Sequence, residues 1–387
     1  MRHTNRRLVI LVAVLAVAAV ATGGALAYSQ GPRVADTADT AAPLSSTQPK
    51  PTPAVPAAST STKPTPSKAT TTKTGPTKTK LVLSKLPSGR APQVAYLAGR
   101  TVRGGAGPDI TIPGTSQIQA VARLGSSALA VVSKDAGTEM LTVDSEGKVT
   151  RRTPDVTQIV TTEDGSAAAY VATRTKDTGE DLPGVTVYVE GYQNQTVEAE
   201  KVTVPGVWNT ALLSFVNGKV YFDASTKQDG ESTLYEWTPG ESKATQLKSI
   251  PRAMAVSSTG TAGSLTSLAD QNSCSSLLSV PDGKRLWRTC EYQILGFTPD
   301  GATAIAGPIY QDGYGSGIAA VLDAKKGTLL HEWSGVFRQW IPEDDQHLLL
   351  LADDGEATPA SIVRCSVETG ACELATPLAK GQLLIGG

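Results

Sequence analysis

The stretch ILGFTPDGATAIAGPIYQDGYGSGIAAVLDAKKGTLLHEW, residues 294–333, decides the fold because it holds one complete structural unit. Its first two apolar runs flank the turn TPDG at 298–301, in which proline sets φ and glycine adopts a conformation that other residues resist. A glycine-rich loop follows, and the last two apolar runs flank a second tight turn at 324–327. The stretch therefore predicts four short strands, at 294–297, 302–307, 318–322 and 329–333.

The first of these turns recurs along the chain. Its glycines are spaced 40, 53, 42 and 41 residues apart, at Gly125, Gly165, Gly218, Gly260 and Gly301. Two weaker copies, PSGRAPQVAYLAG at 87–99 and PEDDQHLLLLA at 342–352, extend the series to seven. A second series of seven turns, between third and fourth strands, runs from GGAG at 104 to VETG at 367. Seven units over residues 81–387 have about 44 residues each, a period typical of propeller blades.

We therefore predict an all-β fold in which residues 81–387 form a β-propeller, most simply of seven four-stranded blades, with six or eight blades as alternatives. The 53-residue interval fits an inserted loop at 173–184, which is too charged to be core. Because the ring must close, either QLLIGG at 382–387 or LVLSKL at 81–86 should supply the missing strand of a composite blade. A many-stranded β-sandwich is the rival fold, but it does not explain the repeat period.

An apolar run follows a short basic stub at the start of the chain. Three arginines precede LVILVAVLAVAAVATGGALA at 8–27, whose twenty uncharged residues match the thickness of a bilayer's hydrocarbon core. This pattern predicts a cytoplasmic stub at 1–7, one transmembrane signal-anchor helix at 8–27 and an extracytoplasmic remainder. A cleaved signal peptide ending near Ala27 is the alternative, and it would make the protein secreted.

Residues 28–80 are predicted to be a disordered linker. Thr, Ser, Pro, Ala and Lys dominate this segment, which has too few apolar side chains to offset the entropy of ordering. A polyproline-like linker of this length, at ~3.1 Å per residue, would reach on the order of 150 Å. Its lysines serve either solubility or adhesion to anionic wall polymers, and the composition does not separate the two.

The folded part of the chain is acidic. Residues 1–80 hold ten Lys or Arg and two Asp, which leaves 25 basic and 34 acidic residues in 81–387, a net charge of −9. A domain that binds phosphate backbones needs the opposite sign. The charge distribution therefore argues against nucleic acid as a partner.

The four cysteines form two pairs by their spacing. Cys274 and Cys290 are centred on the turn at Asp282, and Cys365 and Cys372 flank SVETGA, so each pair is expected to lie opposite across a hairpin. An exported chain meets an oxidising environment, and two disulfides are therefore predicted. The spacings match no zinc site, and no metal ligand or cofactor is predicted.

Two sequence motifs resemble known repeat families. FTPDGATAIAG at 297–307 resembles the PD40 repeat of TolB-like, WD40-like propellers, which has Ser-Pro-Asp-Gly between an apolar residue and alternating apolar positions. DGKRLW at 282–287 and LDAKKGTLLHEW at 322–333 resemble PQQ-type repeats, with Trp287 and Trp333 at the position that docks one blade on the next. These resemblances imply an exported bacterial propeller. Both families include enzymes and binding proteins, so they do not imply one function.

The sequence contains no recognisable catalytic constellation. GYGSG at 313–317 has the wrong spacing for a nucleophile elbow, and His331 is expected to face solvent on an outer strand. The acidic clusters at 343–345 and 353–356 lack the alternating pattern of a calcium-binding loop. We therefore predict no catalytic residue and no metal site.

Binding residues are expected on the channel face, which we define as the loops between second and third strands together with the links between blades. The candidates, mostly of types enriched in binding hot spots, are Trp208, Tyr310, Asp312, Tyr314, Arg338 and Trp340. The competing interpretation is that these side chains only pack between blades.

These features together predict an exported propeller, tethered to the membrane through its N-terminal helix. It would act as a non-catalytic binding or scaffold module for a protein or a cell-envelope glycan. The alternative is an extracytoplasmic hydrolase or lyase with its active site on the channel face. A deep acidic pocket with converging carboxylates or a histidine would favour an enzyme, and a flat aromatic face would favour binding.

Overall fold

The computed structural model describes residues 76–387 except for four gaps, at 177–179, 193–198, 268–271 and 312. The predicted stub, the apolar run at 8–27 and the linker as far as residue 75 lie outside the described residues, as does Asp312. No helix within the described residues has the length and hydropathy needed to span a membrane. Apart from a short 3-10 helix at Leu83–Lys85, the elements given below are strands, which confirms the predicted all-β fold.

The strands of the first half are β1 (Thr77–Lys80), β2 (Tyr96–Ala98), β3 (Thr101–Arg103), β4 (Ile110–Thr111), β5 (Ile118–Leu124), β6 (Ser127–Ser133), β7 (Thr138–Val143), β8 (Val149–Pro154), β9 (Val156–Thr161), β10 (Ala167–Ala172), β11 (Val185–Gly191), β12 (Glu200–Val204), β13 (Trp208–Val216) and β14 (Lys219–Ser225). Those of the second half are β15 (Ser232–Trp237), β16 (Thr245–Pro251), β17 (Ala253–Val256), β18 (Thr261–Leu265), β19 (Ser275–Ser279), β20 (Arg285–Thr289), β21 (Tyr292–Phe297), β22 (Thr303–Pro308), β23 (Ser316–Asp323), β24 (Leu329–Pro342), β25 (His347–Asp353), β26 (Ala360–Ser366), β27 (Cys372–Leu374) and β28 (Leu383–Ile385).

Most of these strands form four-stranded antiparallel sheets. Four sheets are meanders of consecutive strands: β5 to β8, β9 to β12, β13 to β16 and β17 to β20. A fifth has the order β28-β2-β3-β4 and joins the two ends of the folded part. The quartet predicted at 294–333 is present as β21, β22, β23 and the first half of β24, with bounds that differ by a few residues.

The long strand β24 joins two quartets into one sheet. Its first part pairs with β23 from Leu329 to Phe337, and its second part pairs with β25 from Val336 to Pro342. The register shifts between Phe337 and Gln339, so the chain passes from one quartet to the next through a β-bulge. The sheet that contains β21 to β27 therefore consists of two four-strand units without a turn between them.

The C-terminal segment closes the fold, as one of the two predicted alternatives requires. Tyr96 pairs with Ile385 and Ala98 pairs with Leu383, and Gly386 N–H donates to Ala95 O at 2.8 Å. The other candidate, 81–86, does not form a strand of the composite sheet. It contains the 3-10 helix instead, and the buried side chain of Leu83 packs in the core beside β24.

The last residues of the segment predicted to be a disordered linker form a strand. Thr77–Lys80 were predicted to be disordered, but they form β1, which pairs in parallel with β24 from His331 to Ser334. Lys78 Nζ lies 3.0 Å from Glu332 Oε2, and Thr77 Oγ1 contacts His331 Nδ1. The prediction that His331 faces solvent is therefore wrong, because β1 and the Glu368 carbonyl oxygen, 3.1 Å from Nε2, cover its ring.

The hydrophobic core lies between the four-strand units. Buried apolar side chains form seven clusters in the described part of the chain, each built largely from two successive units. One cluster, for example, joins β9 to β12 with β13 to β16 and includes Phe222 and Trp237. A single unit would leave both of its apolar faces in water, so neighbours are needed on each side.

Tryptophans connect successive units at the predicted docking positions. Trp287 Nε1–H donates to Ala324 O at 2.7 Å, and Trp333 Nε1–H donates to Gly370 O at 3.0 Å. Each acceptor belongs to a turn of the next unit. The ring supplies apolar area and the single N–H group is satisfied, as a buried indole requires.

Both predicted disulfides are present. Cys274 is bonded to Cys290 and Cys365 to Cys372, with Cα atoms 4.1 Å apart in each pair. Cys365 pairs with Cys372 between β26 and β27, while Cys274 and Cys290 lie just beyond the paired residues Ser275 and Thr289 of β19 and β20. Each closes a short loop, of 16 and 7 residues in sequence separation, and should contribute about 2 to 3 kcal/mol by restricting the unfolded chain.

Candidate functional site

Two of the predicted binding residues meet on a buried carboxylate. Tyr314 Oη–H donates to Asp353 Oδ2 at 2.8 Å, and Arg338 Nε lies 2.8 Å from the same oxygen. The Arg338 Nε–H is not directed at this oxygen, so the contact is an ion pair rather than a hydrogen bond. The other oxygen of Asp353 accepts the Gly355 N–H at 3.0 Å. These contacts fix an aromatic and a cationic side chain relative to each other.

Three local features place these side chains. Asp353 ends β25, while Arg338 is the extra residue in the bulge of β24, a device that redirects a side chain out of the alternating pattern. Tyr314 comes from the loop between β22 and β23. Gly315 allows this loop to lie against β24, because its φ is +71° and an added Cβ would lie 2.8 Å from Val336 Cγ1.

Tyr314 and Arg338 are accessible to solvent, although the Asp353 carboxylate that they contact is buried. Tyr314 is 45% exposed and the Arg338 side chain is 29% exposed, whereas the Asp353 side chain is only 1% exposed. Partial burial and the hydrogen bond to Asp353 raise the pKa of Tyr314. The phenol therefore stays protonated at neutral pH and keeps donating to the carboxylate.

The remaining candidates are not part of this arrangement. Trp340 is buried in the core rather than on the surface, and an added Cβ on Gly307 would lie 3.2 Å from its ring. Trp208 is half-buried at the start of β13, opposite Ser225, and Tyr310 is half-buried in the loop that carries Tyr314. The sequence pattern did not single out Asp353 as a partner, since it appeared only within the acidic cluster at 353–356.

A second buried carboxyl lies on another unit. Asp223 in β14 accepts the Ala253 N–H at 3.2 Å across the boundary to the next unit, beside Arg252. Burial raises the pKa of Asp223 to about 7, although hydrogen bonds from Ser232 and Ala253 oppose the shift. A carboxyl group with a pKa near 7 can both take up and release a proton at neutral pH.

The raised pKa of Asp223 makes stability depend on pH. The unfolded carboxyl ionises near 3.8 and the folded one near 7, so the folded state binds the extra proton between these values. Stability contributed by this group is therefore lost as pH rises from about 4 to 7, by on the order of a few kcal/mol. We expect Asp223→Asn to raise the melting temperature at pH 8 and to have little effect at pH 4.

Thermal unfolding followed by circular dichroism between pH 4 and pH 8 measures this effect. The matched control is Asp229→Asn, an exposed carboxylate in the following loop, which should leave the pH profile of the parent chain unchanged. An Asp223→Asn profile parallel to that of the parent would contradict the assignment.

Glu343, Asp344 and His347 lie close enough together to share a cation. The carboxylate of Glu343 is already engaged, however, by the guanidinium of Arg364 and by the Gln93 N–H at 2.7 Å. Asp344 Oδ1 lies 2.8 Å from His347 Nδ1. These contacts account for the group as an ion-pair network that ties the turn at 343–347 to the segment before β2.

Comparison with known proteins gives no match to any protein-family model, and no curated protein matches. Among solved structures, one from a study of two prolyl endopeptidases has a TM-score of 0.53 at 14% identity, covering 77% of this chain and 49% of that chain. This chain thus spans about half the length of that enzyme.

Two further structures have lower scores. An uncharacterised protein of Listeria monocytogenes EGD-e has a TM-score of 0.48 at 10% identity, covering 72% of this chain and 91% of that chain. TolB from Acinetobacter baumannii has a TM-score of 0.39 at 12% identity, covering 64% of this chain and 67% of that chain. The similarity to the prolyl endopeptidase, together with the four-stranded sheets, supports a β-propeller-like fold and says nothing about activity.

Proposed function

We propose that this chain is an exported, membrane-tethered propeller of the TolB-like type that acts as a non-catalytic binding or scaffold module. Seven core clusters between successive four-strand units support seven blades, with β28-β2-β3-β4 as the composite blade and β24 shared by two others. The anchor at 8–27 and the extracytoplasmic location rest on the sequence pattern, and a secreted form is the alternative.

The observation that carries the binding role is the pair formed by Tyr314 and Arg338 on Asp353. A half-exposed aromatic ring beside a guanidinium is a combination enriched in binding hot spots, and the buried carboxylate holds both side chains in place before a partner arrives. Among the described residues, Asp353 is the charged partner of Arg338, which leaves its terminal N–H groups for a ligand. A peptide carboxylate or the hydroxyl groups of an envelope glycan fits this chemistry.

A second candidate function rests on Asp223. A buried carboxyl whose pKa is raised to about 7 has the property of a general acid or base, as a propeller hydrolase or lyase would need. The two described histidines do not join Asp223 in such a site, because His331 contacts Thr77 of β1 and His347 contacts Asp344. Loss of a detected hydrolytic or lyase activity in Asp223→Asn would favour this candidate over the binding role.

The binding role is tested after proximity labelling from the folded part has identified a partner. Tyr314→Ala and Arg338→Lys are each expected to weaken capture of that partner roughly tenfold or more, because a hot-spot side chain contributes 2 kcal/mol or above. The charge retained in Arg338→Lys keeps Asp353 paired, so melting temperatures should stay within about 2 °C of the parent.

Tyr192→Ala is the matched control, since Tyr192 is 43% exposed but follows β11 at the turn to β12, away from the channel face. It should capture the partner as well as the parent chain does. Unchanged capture by both site variants would remove the proposed role from this pair. A parallel fall in melting temperature would assign Tyr314 and Arg338 to packing.

A further inference from the structure

A cluster of exposed cationic side chains lies along the outer edges of three neighbouring units. One belongs to β16, three lie in or directly before β20, and two form the turn before β24. We call this set the basic strip: Lys248, Lys284, Arg285, Arg288, Lys325 and Lys326. Strands β16 and β20 are the fourth, outermost strands of their sheets, so the strip faces outward.

Close packing makes the strip continuous. An added Cβ on Gly283, just before β20, would lie 2.5 Å from Ser249 Cβ, which places the start of β20 against the residue after Lys248. On the other side, Trp287 Nε1–H donates to Ala324 O at 2.7 Å, beside the lysines of the turn before β24. The three outer edges therefore touch within a single stretch of surface.

Acidic side chains within the described residues lie too far from the strip for close ion pairs. None of its six cations has an ion pair there, whereas other outer-edge cations do, such as Arg152 with Glu139 at 2.6 Å. The carboxylates of Asp282 and Asp323 accept N–H groups of their own turns, at 3.2 Å and 2.9 Å, and remain negatively charged beside the strip, where Asp282 attracts Lys284. Two carboxylates thus face six cations. Because residues 81–387 carry a net charge of −9, this unpaired positive charge is a local feature and not a consequence of composition.

An apolar side chain projects from the middle of the strip. Leu286 is 49% exposed, the largest value among the exposed large hydrophobic residues of the described chain. Trp287 pairs with Leu277 and Arg285 with Leu278, so Leu286 is the extra residue of a bulge and has no partner opposite it. A bulge of this kind directs the side chain away from the sheet and into solvent.

We propose that the basic strip docks on the surface of an anionic lipid bilayer, with Leu286 entering the headgroup region. Cations that surround an exposed apolar side chain match an interface in which phosphate groups lie above acyl chains. A soluble polyanion would bind the same cations but would leave Leu286 in water. The proposal concerns a different surface from the channel face, and it does not depend on what binds there.

The test uses the full chain with an environment-sensitive dye at position 286. The substitution Leu286→Cys gives a single labelling site, since all four native cysteines are in disulfides. Labelled protein is mixed with vesicles of neutral phosphatidylcholine or with vesicles that also contain phosphatidylglycerol. The dye should shift to the blue in anionic vesicles only and return to its water-like emission in high salt. The same dye on Thr203→Cys, at the exposed edge strand β12, should not shift.

A second experiment removes three of the positive charges of the basic strip. The combined variant Lys284→Gln, Arg285→Gln and Arg288→Gln is expected to lower the docked population on the order of a hundredfold and so abolish the blue shift. The control variant Lys85→Gln, Lys148→Gln and Lys380→Gln loses the same charge from exposed positions elsewhere and should retain the shift.

Association of the whole chain with vesicles through residues 8–27 would not produce these results, because the dye reports the surroundings of position 286 alone. Water-like emission in both kinds of vesicle would overturn the proposal, and so would an equal shift in neutral vesicles. A shift produced by soluble polyphosphate with neutral vesicles would assign the strip to a polyanion instead of a bilayer.

Discussion

Truncation of the chain after residue 381 is expected to destroy cooperative unfolding. The deletion removes β28, whose Leu383 and Ile385 side chains are buried in the cluster that joins the composite sheet to the unit of β25. Loss of these two side chains alone costs roughly 3 to 6 kcal/mol, and the edge of β2 also loses its backbone partners. This loss is comparable to the total stability of many domains, so the chain should melt over a broad range or remain partly unfolded.

Urea unfolding monitored by tryptophan fluorescence and by circular dichroism measures the effect. The control is Leu384→Thr in the full-length chain, because Leu384 lies between the two buried residues and is only half-buried. It should lower stability by a much smaller amount and keep a single transition. A truncated chain that unfolds as sharply as the parent would show that ring closure through β28 is dispensable.

The substitution Arg364→Ala is expected to lower the free energy of unfolding by about 3 to 5 kcal/mol. The guanidinium of Arg364 is buried and contacts both oxygens of Glu343, Glu373 Oε1 at 2.7 Å, and the carbonyl oxygens of Arg90 and Ala91 at 2.8 Å and 2.9 Å. Its removal leaves the fully buried Glu343 carboxylate with the Gln93 N–H at 2.7 Å and the more distant, partly exposed Arg90 at 3.5 Å, and it frees the carbonyl groups of Arg90 and Ala91.

A double variant separates the charge effect from lost packing. Arg364→Met combined with Glu343→Gln removes the buried charge as well as its partner, so it should be less destabilised than Arg364→Ala in urea unfolding at pH 7. If the double variant loses as much stability as the single one, lost packing is the cause, and not the buried carboxylate's loss of its main cationic partner.

The repeat was predictable from sequence because its turns have strong local requirements. The five glycines of the first turn series all adopt positive φ, between +56° and +74°, which is the conformation that gave the pattern its period. Apolar runs between these turns were long enough to define strands. The two disulfides followed from the same hairpins, since each pair of cysteines is centred on a turn.

Contacts between distant parts of the chain were not predictable in the same way. The pairing of β1 with β24 joins Thr77 to His331, and no local pattern in a Thr- and Lys-rich segment indicates it. The bulge in β24 was also not predictable from the sequence, and it changes which side chains face the core. Because of the register shift in β24, Phe337 and Trp340 contribute to the same cluster at a spacing of three residues, where strict alternation would have separated them. Trp340 packs in the core, which agrees with the competing interpretation that such side chains only pack between blades and not with its candidacy as a binding residue.

The site itself was predicted only in part. Tyr314 and Arg338 were selected by residue type and by their position in loops and links, and the structure brings them together. Asp353, which holds them, comes from the next unit and was not distinguishable from other acidic residues in its cluster. Only the three-dimensional packing of units shows which carboxylate is buried beneath the pair.

The attachment of β1 determines how a mechanical load would enter the fold. Force applied through the chain before Pro76 acts first on four residues that are paired in parallel with β24 at the outer edge of a sheet. These few hydrogen bonds would break before the core bears the load, and their rupture would release four residues, which span about 13 Å at 3.3 Å per residue. Detachment of β1 would thus come first, and the packed four-strand units would unfold only at a higher force.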